Sequence, residues 1–132
     1  LLVIHSDNYT EFRIDNLIKA DNKNKKCLIT MLSFKTDQPE KTGTLEVKKN
    51  ILKNYFHKNK YSESKIGNAA IYILGKKFLS NYHNDYFKYI DFSKDVLPTL
   101  IDKAYVHHTN KFFIDIGDPS SLIKARSWII KK

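Results

Sequence analysis

Glycine is scarce in this sequence, with only 4 among 132 residues. Neither Gly-x-Gly-x-x-Gly nor Gly-x-x-x-x-Gly-Lys occurs, so the chain lacks the glycine-rich loops that hold nucleotide phosphates on backbone N–H groups. No apolar run reaches the ~18 residues that a membrane-spanning helix needs. The single cysteine, Cys27, excludes an intrachain disulfide and favours a reducing, cytoplasmic location. Its apolar neighbours predict a buried, unreactive thiol.

Acidic residues are also few: 14 Asp and Glu stand against 23 Lys and Arg, giving a formal net charge of +9. This excess favours an anionic partner, whether a nucleotide, a sugar phosphate or a nucleic acid. The lysines are spread along the chain, in short pairs such as Lys25-Lys26, and no basic block has interleaved aromatic residues. A solvated lysine surface is therefore the simpler interpretation, and only the net charge favours a basic nucleic-acid-binding module.

Alternating elements in the first half indicate an α/β fold. Leu1–His5 and residues 27–34 are apolar runs typical of buried strands, and the segment between them predicts a helix capped by Thr10. This strand–helix–strand order favours a right-handed parallel crossover. Residues 43–47 and 51–56 predict a hairpin. Because the chain opens on a strand and Leu1 is not an initiator methionine, we expect a fragment of a longer protein.

The second half continues the alternation. Residues 67–74 predict another buried strand, residues 76–82 a short helix, and residues 104–109 and 111–116 two closing strands. Between them, Ser93 is expected to cap a helix in which Pro98 sits awkwardly. Asp118 followed by proline predicts the start of a last helix, whose apolar stripe is Leu122, Ala125 and Ile129. The whole chain, residues 1–132, is predicted to form one domain with a mixed sheet flanked by helices.

Four segments, in order, resemble the nucleotidyltransferases that couple nucleoside triphosphates to sugar 1-phosphates. Leu1-Leu2-Val3-Ile4-His5-Ser6-Asp7-Asn8 is similar to the family's apolar strand ending in Gly-Asp or Ser-Asp. Tyr55-Phe56-His57-Lys58 stands where the family has Phe-x-Glu-Lys. Gly67-Asn68-Ala69-Ala70-Ile71-Tyr72-Ile73 resembles its Asn-Ala-Gly-Ile-Tyr strand, and Phe113-Ile114-Asp115-Ile116-Gly117-Asp118-Pro119 its Trp-x-Asp-Ile-Gly-Thr-Pro segment.

The subgroup that the chain resembles best is the heptose-1-phosphate guanylyltransferases; mannose-1-phosphate guanylyltransferases and glucose-1-phosphate thymidylyltransferases remain alternatives. The resemblance implies a partial Rossmann-like, GT-A-like fold. It also implies that this chain is the C-terminal part of a catalytic domain whose nucleotide-binding N-terminal half is missing. The parent enzyme would transfer a nucleotidyl group, GMP from GTP, to a sugar 1-phosphate for cell-surface polysaccharide synthesis. A homo-oligomer, or pairing with the missing half, would be compatible with this role.

The resemblance also implies a site. Asp7 and Asp115 would be the catalytic carboxylates that hold Mg²⁺, a hard cation with oxygen ligands. Lys58 would contact the sugar phosphate, although a shift by one residue would place Asn59 there. Asn68 and Gly43 would meet the sugar. For the two aspartates the competing interpretation is structural: a turn cap at Asp7 and a buried hydrogen bond at Asp115.

Two positions depart from the family pattern on the sugar side. His57 replaces a glutamate, and Ala70 replaces a glycine that allows close approach of the sugar. These departures favour an alternative in which the chain keeps the fold but is non-catalytic, binding only a sugar phosphate or a partner subunit. The five histidines, including adjacent His107 and His108, show no zinc-site spacing.

Overall fold

The computed structural model describes residues 1–58, 60, 62–81 and 90–132. Asn59, Tyr82 and His83, which entered the sequence predictions, lie outside this part. The strands and α-helices follow the alternation expected from the sequence. In chain order they are β1 (Leu2–Ile4), β2 (Asn8–Thr10), α1 (Ile14–Lys23), β3 (Ile29–Lys35), β4 (Thr44–Lys48), β5 (Ile51–Phe56), β6 (Ile66–Leu74), α2 (Lys76–Asn81), β7 (Ala104–Thr109), β8 (Phe113–Asp115) and α3 (Pro119–Ile130).

Six strands form the main sheet in the order β1-β6-β3-β7-β5-β4, and β2 pairs with β8 in a second, two-stranded sheet. Strands β3 and β7 run parallel. Because β1 and β3 are each antiparallel to β6, they run parallel to one another with β6 between them. The mixed α/β architecture predicted from the sequence is confirmed, and the crossover skips one strand.

The main sheet buries a cluster of apolar side chains on each face. The larger cluster includes Met31, Tyr72 and Val106, and the short helical turns after residue 91 pack on it. The smaller cluster gathers around Leu17 of α1 and Leu32 of β3. Because neighbouring residues of a strand point to opposite faces, the continuous apolar run in β3 supplies both clusters.

Strand β1 departs from the prediction of a buried strand. Leu2 is 43% and Ile4 is 51% exposed, because neither side chain packs against an apolar cluster. Strand β1 is also an edge strand, which pairs with β6 alone within the described residues. Only Val3 packs on the larger cluster. The prediction of a strand is confirmed, but the predicted burial on both faces is not found, since the face of Leu2 and Ile4 is exposed.

The predicted helix caps at Thr10 and Ser93 are both wrong. Helix α1 begins after Arg13 without a side-chain cap, and the Thr10 hydroxyl instead donates to the carbonyl of Phe112 at 2.9 Å. Asp91 takes the role expected of Ser93, accepting from the backbone N–H groups of Ser93 and Lys94. The segment behind it is a π-helical turn and a 3₁₀ turn, since Pro98 removes an N–H that an α-helix would use.

The predictions for Cys27 and for the last helix also need correction. Cys27 precedes β3 and is half-buried, and burial raises the pKa of its thiol. Helix α3 begins at Pro119 behind Asp118 as predicted. Its apolar stripe is incomplete: Ala125 is buried, whereas Ile129 is 50% exposed. No helix in the described part of the chain is long and apolar enough to cross a membrane.

The predicted hairpin is confirmed, with β4 and β5 joined by Lys49 and Asn50. Both turn residues have positive φ, 51° and 60°, as the tight turns that match strand twist require.

Candidate functional site

The carboxylates of Asp7 and Asp115 meet at one corner of the molecule. They are separated by 108 positions in the chain, and the pairing of β2 with β8 brings them together by placing Asn8 opposite Asp115. The N–H of Ile116 donates to the carbonyl of Asp7 at 2.8 Å. Backbone hydrogen bonds, not side-chain contacts, therefore fix the relative position of the two aspartates.

Gly117 provides the space between the two carboxylates. A Cβ atom at this position would stand 2.9 Å from Asp115 Oδ1 and 3.2 Å from Asp7 Oδ2. The two oxygens are thus no farther apart than the sum of those distances. The Gly117 N–H donates to Asp115 Oδ1 at 2.8 Å. Any side chain at position 117 would crowd both carboxylates, so the glycine keeps the corner open.

The corner has the donor set that a hard divalent cation prefers. Two partly exposed carboxylates suit Mg²⁺, which binds proteins through one or two carboxylates and keeps waters or substrate phosphates as its other ligands. No group of three or more His, Cys, Asp or Glu side chains suited to a metal ion occurs among the described residues. His5 Nδ1 lies 3.9 Å from Asp7 Oδ1.

Asp118 is a third carboxylate close in sequence to Asp115, but its oxygens are occupied by hydrogen bonds at the start of helix α3. It accepts hydrogen bonds from the hydroxyls of Ser120 and Ser121, both at 2.6 Å, and from their backbone N–H groups. The hydroxyl of Ser120, followed by that of Ser121, holds the pKa of Asp118 well below its usual range. Asp118 is therefore a helix cap, as its sequence position predicted.

Asn68 lies at the start of β6, beside the segment that carries Asp7. Its side-chain amide donates to the hydroxyl of Tyr72 at 2.7 Å, and its side-chain oxygen accepts from the N–H of Ala70 at 3.1 Å. The N–H of His5 reaches the carbonyl of Ala70. Asn68 is thus fixed in orientation, and Ala70 connects it to the carboxylate corner.

Ala70 adopts a left-handed conformation, with φ of 52°. It lies in a bulge where the pairing of β3 with β6 steps from Met31↔Tyr72 to Ser33↔Asn68. Side chains disfavour positive φ, and bulges near functional sites commonly re-aim a side chain. The backbone conformation at position 70 therefore favours glycine, the residue that the family has there, although this chain has alanine.

Gly43 faces the ring of Tyr55. A Cβ at position 43 would lie 2.7 Å from the Tyr55 hydroxyl oxygen, and the Gly43 carbonyl accepts from the N–H of Asn68 at 2.8 Å. Burial raises the pKa of the Tyr55 phenol. Two of the predicted sugar-side residues, Gly43 and Asn68, are therefore adjacent in the structure.

Lys58 lies in an exposed turn after β5. The ring of the preceding residue, His57, contacts the Lys58 carbonyl through Nδ1 at 3.1 Å. No contact of the Lys58 ammonium group ties it to Asp7, Asp115 or Asn68 in the described residues, so its phosphate-binding role stays a prediction.

Tyr55 and Tyr72 stand within the family-like segments, but the sequence predicted no role for either at this site. Tyr72 is only 2% exposed, and burial raises the pKa of its phenol strongly. The sequence signal for this contact was the spacing of four residues between Asn68 and Tyr72. Because the bulge lies between them, the Tyr72 hydroxyl can reach the Asn68 amide. A regular strand would also put residues 68 and 72 on one face, but too far apart for this hydrogen bond.

A family model described as "Nucleotidyl transferase" matches residues 1–132, the whole chain. This chain belongs to the nucleotidyltransferase family. The family prediction is thereby confirmed, and so is the likeness to heptose-1-phosphate guanylyltransferases through the structural neighbour HddC. No curated protein matches the sequence significantly.

Solved structures of nucleotidyltransferases superpose on most of the chain. HddC from Yersinia pseudotuberculosis is 25% identical, with a TM-score of 0.77 over 98% of this chain and 55% of that one. The HddC structure complexed with GMP-PN gives a TM-score of 0.75 at 25% identity, with the same coverage. A putative glucose-1-phosphate thymidylyltransferase from Bacillus anthracis, in complex with a sucrose, is 17% identical with a TM-score of 0.78, over 96% of this chain and 53% of that one. The chain thus spans about half the length of these structures.

Proposed function

We propose that this chain contributes the metal-binding and sugar-phosphate-binding part of a sugar-1-phosphate nucleotidyltransferase. The observation that carries the proposal is the convergence of Asp7 and Asp115 around Gly117. Both aspartates lie outside the two apolar clusters, and their side chains are exposed enough to meet a ligand. Membership of the family and the likeness to HddC support the same interpretation.

The proposed reaction is attack of a sugar 1-phosphate oxygen on the α-phosphorus of a nucleoside triphosphate, with pyrophosphate leaving. GTP is the proposed donor, GMP the transferred group, and an activated sugar for cell-surface polysaccharide the product. Positioning and charge neutralisation dominate such reactions. Mg²⁺ bound at the corner would supply charge neutralisation of phosphate oxygens, and Asp7 and Asp115 would hold it.

The chain's other residues would orient the sugar phosphate. Asn68, with its amide fixed by Tyr72 and Ala70, would present hydrogen-bonding groups to sugar hydroxyls. Gly43 would expose backbone next to the sugar, and Lys58 would meet the phosphate as a point charge. By itself the chain is expected to be inactive, because it has no glycine-rich loop for the triphosphate.

The metal site is tested with Mn²⁺ as a paramagnetic substitute for Mg²⁺. Mn²⁺ is expected to broaden the amide signals of Ile116 and Gly117, and Asp7→Asn or Asp115→Asn should weaken this effect by at least about 10-fold, since each removes one of two charged ligands. Asp15→Asn, an exposed aspartate paired with Arg13, is the matched control. Unchanged broadening in both corner variants would exclude the proposed site.

A non-catalytic role is the second candidate, and His57 and Ala70 favour it. The chain would then bind a sugar phosphate without supporting turnover. Mixing the chain with the separately produced N-terminal half of HddC, and measuring pyrophosphate release from GTP and mannose 1-phosphate, separates the two functions. Turnover supports the enzyme; binding of the sugar phosphate without turnover supports the non-catalytic role.

A further inference from the structure

A row of three polar side chains crosses the main sheet near the predicted sugar site. Ser33 on β3 lies opposite Asn68 on β6 and beside His108 on β7. Directly paired residues project from the same face of a sheet. This polar row interrupts the face that carries the larger apolar cluster, because Ser33 follows Met31 by two residues and His108 follows Val106 by two.

Ser33 is fully buried, with 0% exposure, and its hydroxyl contacts His108 Nδ1 at 3.1 Å. His108 itself is exposed. Burial of a hydroxyl costs free energy unless a hydrogen bond replaces its contacts with water, and here the partner is a ring at the surface. If the Ser33 hydroxyl donates to Nδ1, the proton of the neutral imidazole is on Nε2. The Nε2–H group is then the one that can donate to a ligand.

The polar row lies at the edge of the sheet where ligands bind in open α/β folds. Strands β1, β3 and β7 all run in one direction, and their carboxyl ends carry Asp7, Ser33 and His108 respectively. Ligands of such sheets sit just outside these ends. Since neighbouring strands are about 4.8 Å apart, His108 stands roughly 10 Å from Asn68, a span that a sugar phosphate can bridge.

We propose that His108 is a further substrate-binding residue, which donates from Nε2–H to an oxygen of the sugar phosphate while Ser33 holds the ring in place. The inference rests on the proposed function and extends it to a residue outside the family-like segments. His107, the neighbouring histidine, serves as the natural contrast. It projects from the opposite face, where its ring packs 5.5 Å from that of Phe12.

The test uses the chain with ¹⁵N-labelled histidine rings, titrated with mannose 1-phosphate and glucose 1-phosphate in the presence of Mg²⁺. Binding is expected to shift the ring nitrogens of His108 and to leave those of His107 unchanged. His108→Phe keeps a ring but removes both nitrogens, so it should weaken binding by at least about 10-fold, the loss expected for one hydrogen bond to an anionic group. His107→Phe should bind as the original chain does.

Ser33→Ala tests the positioning role separately. Without ligand, it is expected to change the balance of the two His108 ring tautomers seen in the ¹⁵N spectrum, an effect that loss of packing alone would not produce. Amide spectra of each variant verify that the fold is retained.

The outcomes separate this inference from the proposed function. If a sugar phosphate binds and perturbs Asn68, but His108 does not shift and His108→Phe binds normally, the inference is overturned and the proposed function stands. If neither sugar phosphate binds at all, both are contradicted for this chain.

Discussion

The carboxylate corner and the Asn68 region lie side by side but are built differently. At the corner, partly exposed side chains are held by backbone pairing between β2 and β8, and Gly117 keeps space between them. Around Asn68, an amide is fixed by the buried Tyr72, and Gly43 fits against Tyr55. Substitutions at the corner should therefore change ligand binding with little effect on stability, whereas those around Asn68 should change both.

The largest effect is expected from Tyr72→Ala. The side chain is 2% exposed and packs in the larger cluster, so its removal should lower the free energy of unfolding by about 3–5 kcal/mol. Chemical denaturation measures the change. Tyr72→Phe, which keeps the ring and removes only the bond to Asn68, should lose about 1 kcal/mol. Equal losses in the two variants would show that packing contributes little.

Gly43→Ala should cause the next largest loss in the free energy of unfolding. The added Cβ would stand 2.8 Å from a ring carbon of Tyr55, and overpacking of this kind costs about 1–3 kcal/mol. Gly117→Ala is the matched variant at the corner, where the neighbouring atoms are carboxylate oxygens that can move away. It should unfold at nearly the same denaturant concentration as the original chain but lose Mn²⁺ binding; the reverse pattern would contradict the comparison.

Ala70→Gly is expected to stabilise the chain. Positive φ costs a side-chain-bearing residue roughly 1–2 kcal/mol, partly offset by the greater freedom of glycine when unfolded. A net gain of about 0.5 kcal/mol in denaturation is expected. Ala69→Gly, one residue earlier in β6, should destabilise, since Ala69 is fully buried and no positive φ is found there.

The smallest effect concerns acid stability and Asp118. Because its pKa is lower in the folded chain than when unfolded, Asp118 stabilises the fold at pH values above its unfolded pKa. That contribution is lost as pH falls toward the folded pKa. Asp118→Ala should therefore lower the melting temperature at pH 7 and reduce its decline between about pH 5 and 2.

Local chemistry made several features predictable. Capping preference predicts the helix start at Asp118 and Pro119, and turn preference predicts the turn at Lys49 and Asn50. Apolar runs predict the strands of the main sheet. The two wrong caps have one cause, which is competition from another hydrogen-bonding partner. The Thr10 hydroxyl donates to the carbonyl of Phe112 instead, and the carboxylate of Asp91 takes the cap position expected of Ser93. Similarly, an apolar run predicts β1 as a strand, while the exposure of its side chains depends on what packs on the two faces of the sheet.

By itself, the sequence determined the alternation of strands and helices, the family, and the residue types able to bind a hard cation. Only the tertiary structure decided that Asp7 and Asp115 meet around Gly117, that Tyr72 fixes Asn68, and that Ser33 holds His108. The physical reason is that these contacts join segments distant in the chain. Strand register sets them, and register is chosen by burial of whole sheet faces rather than by any local motif.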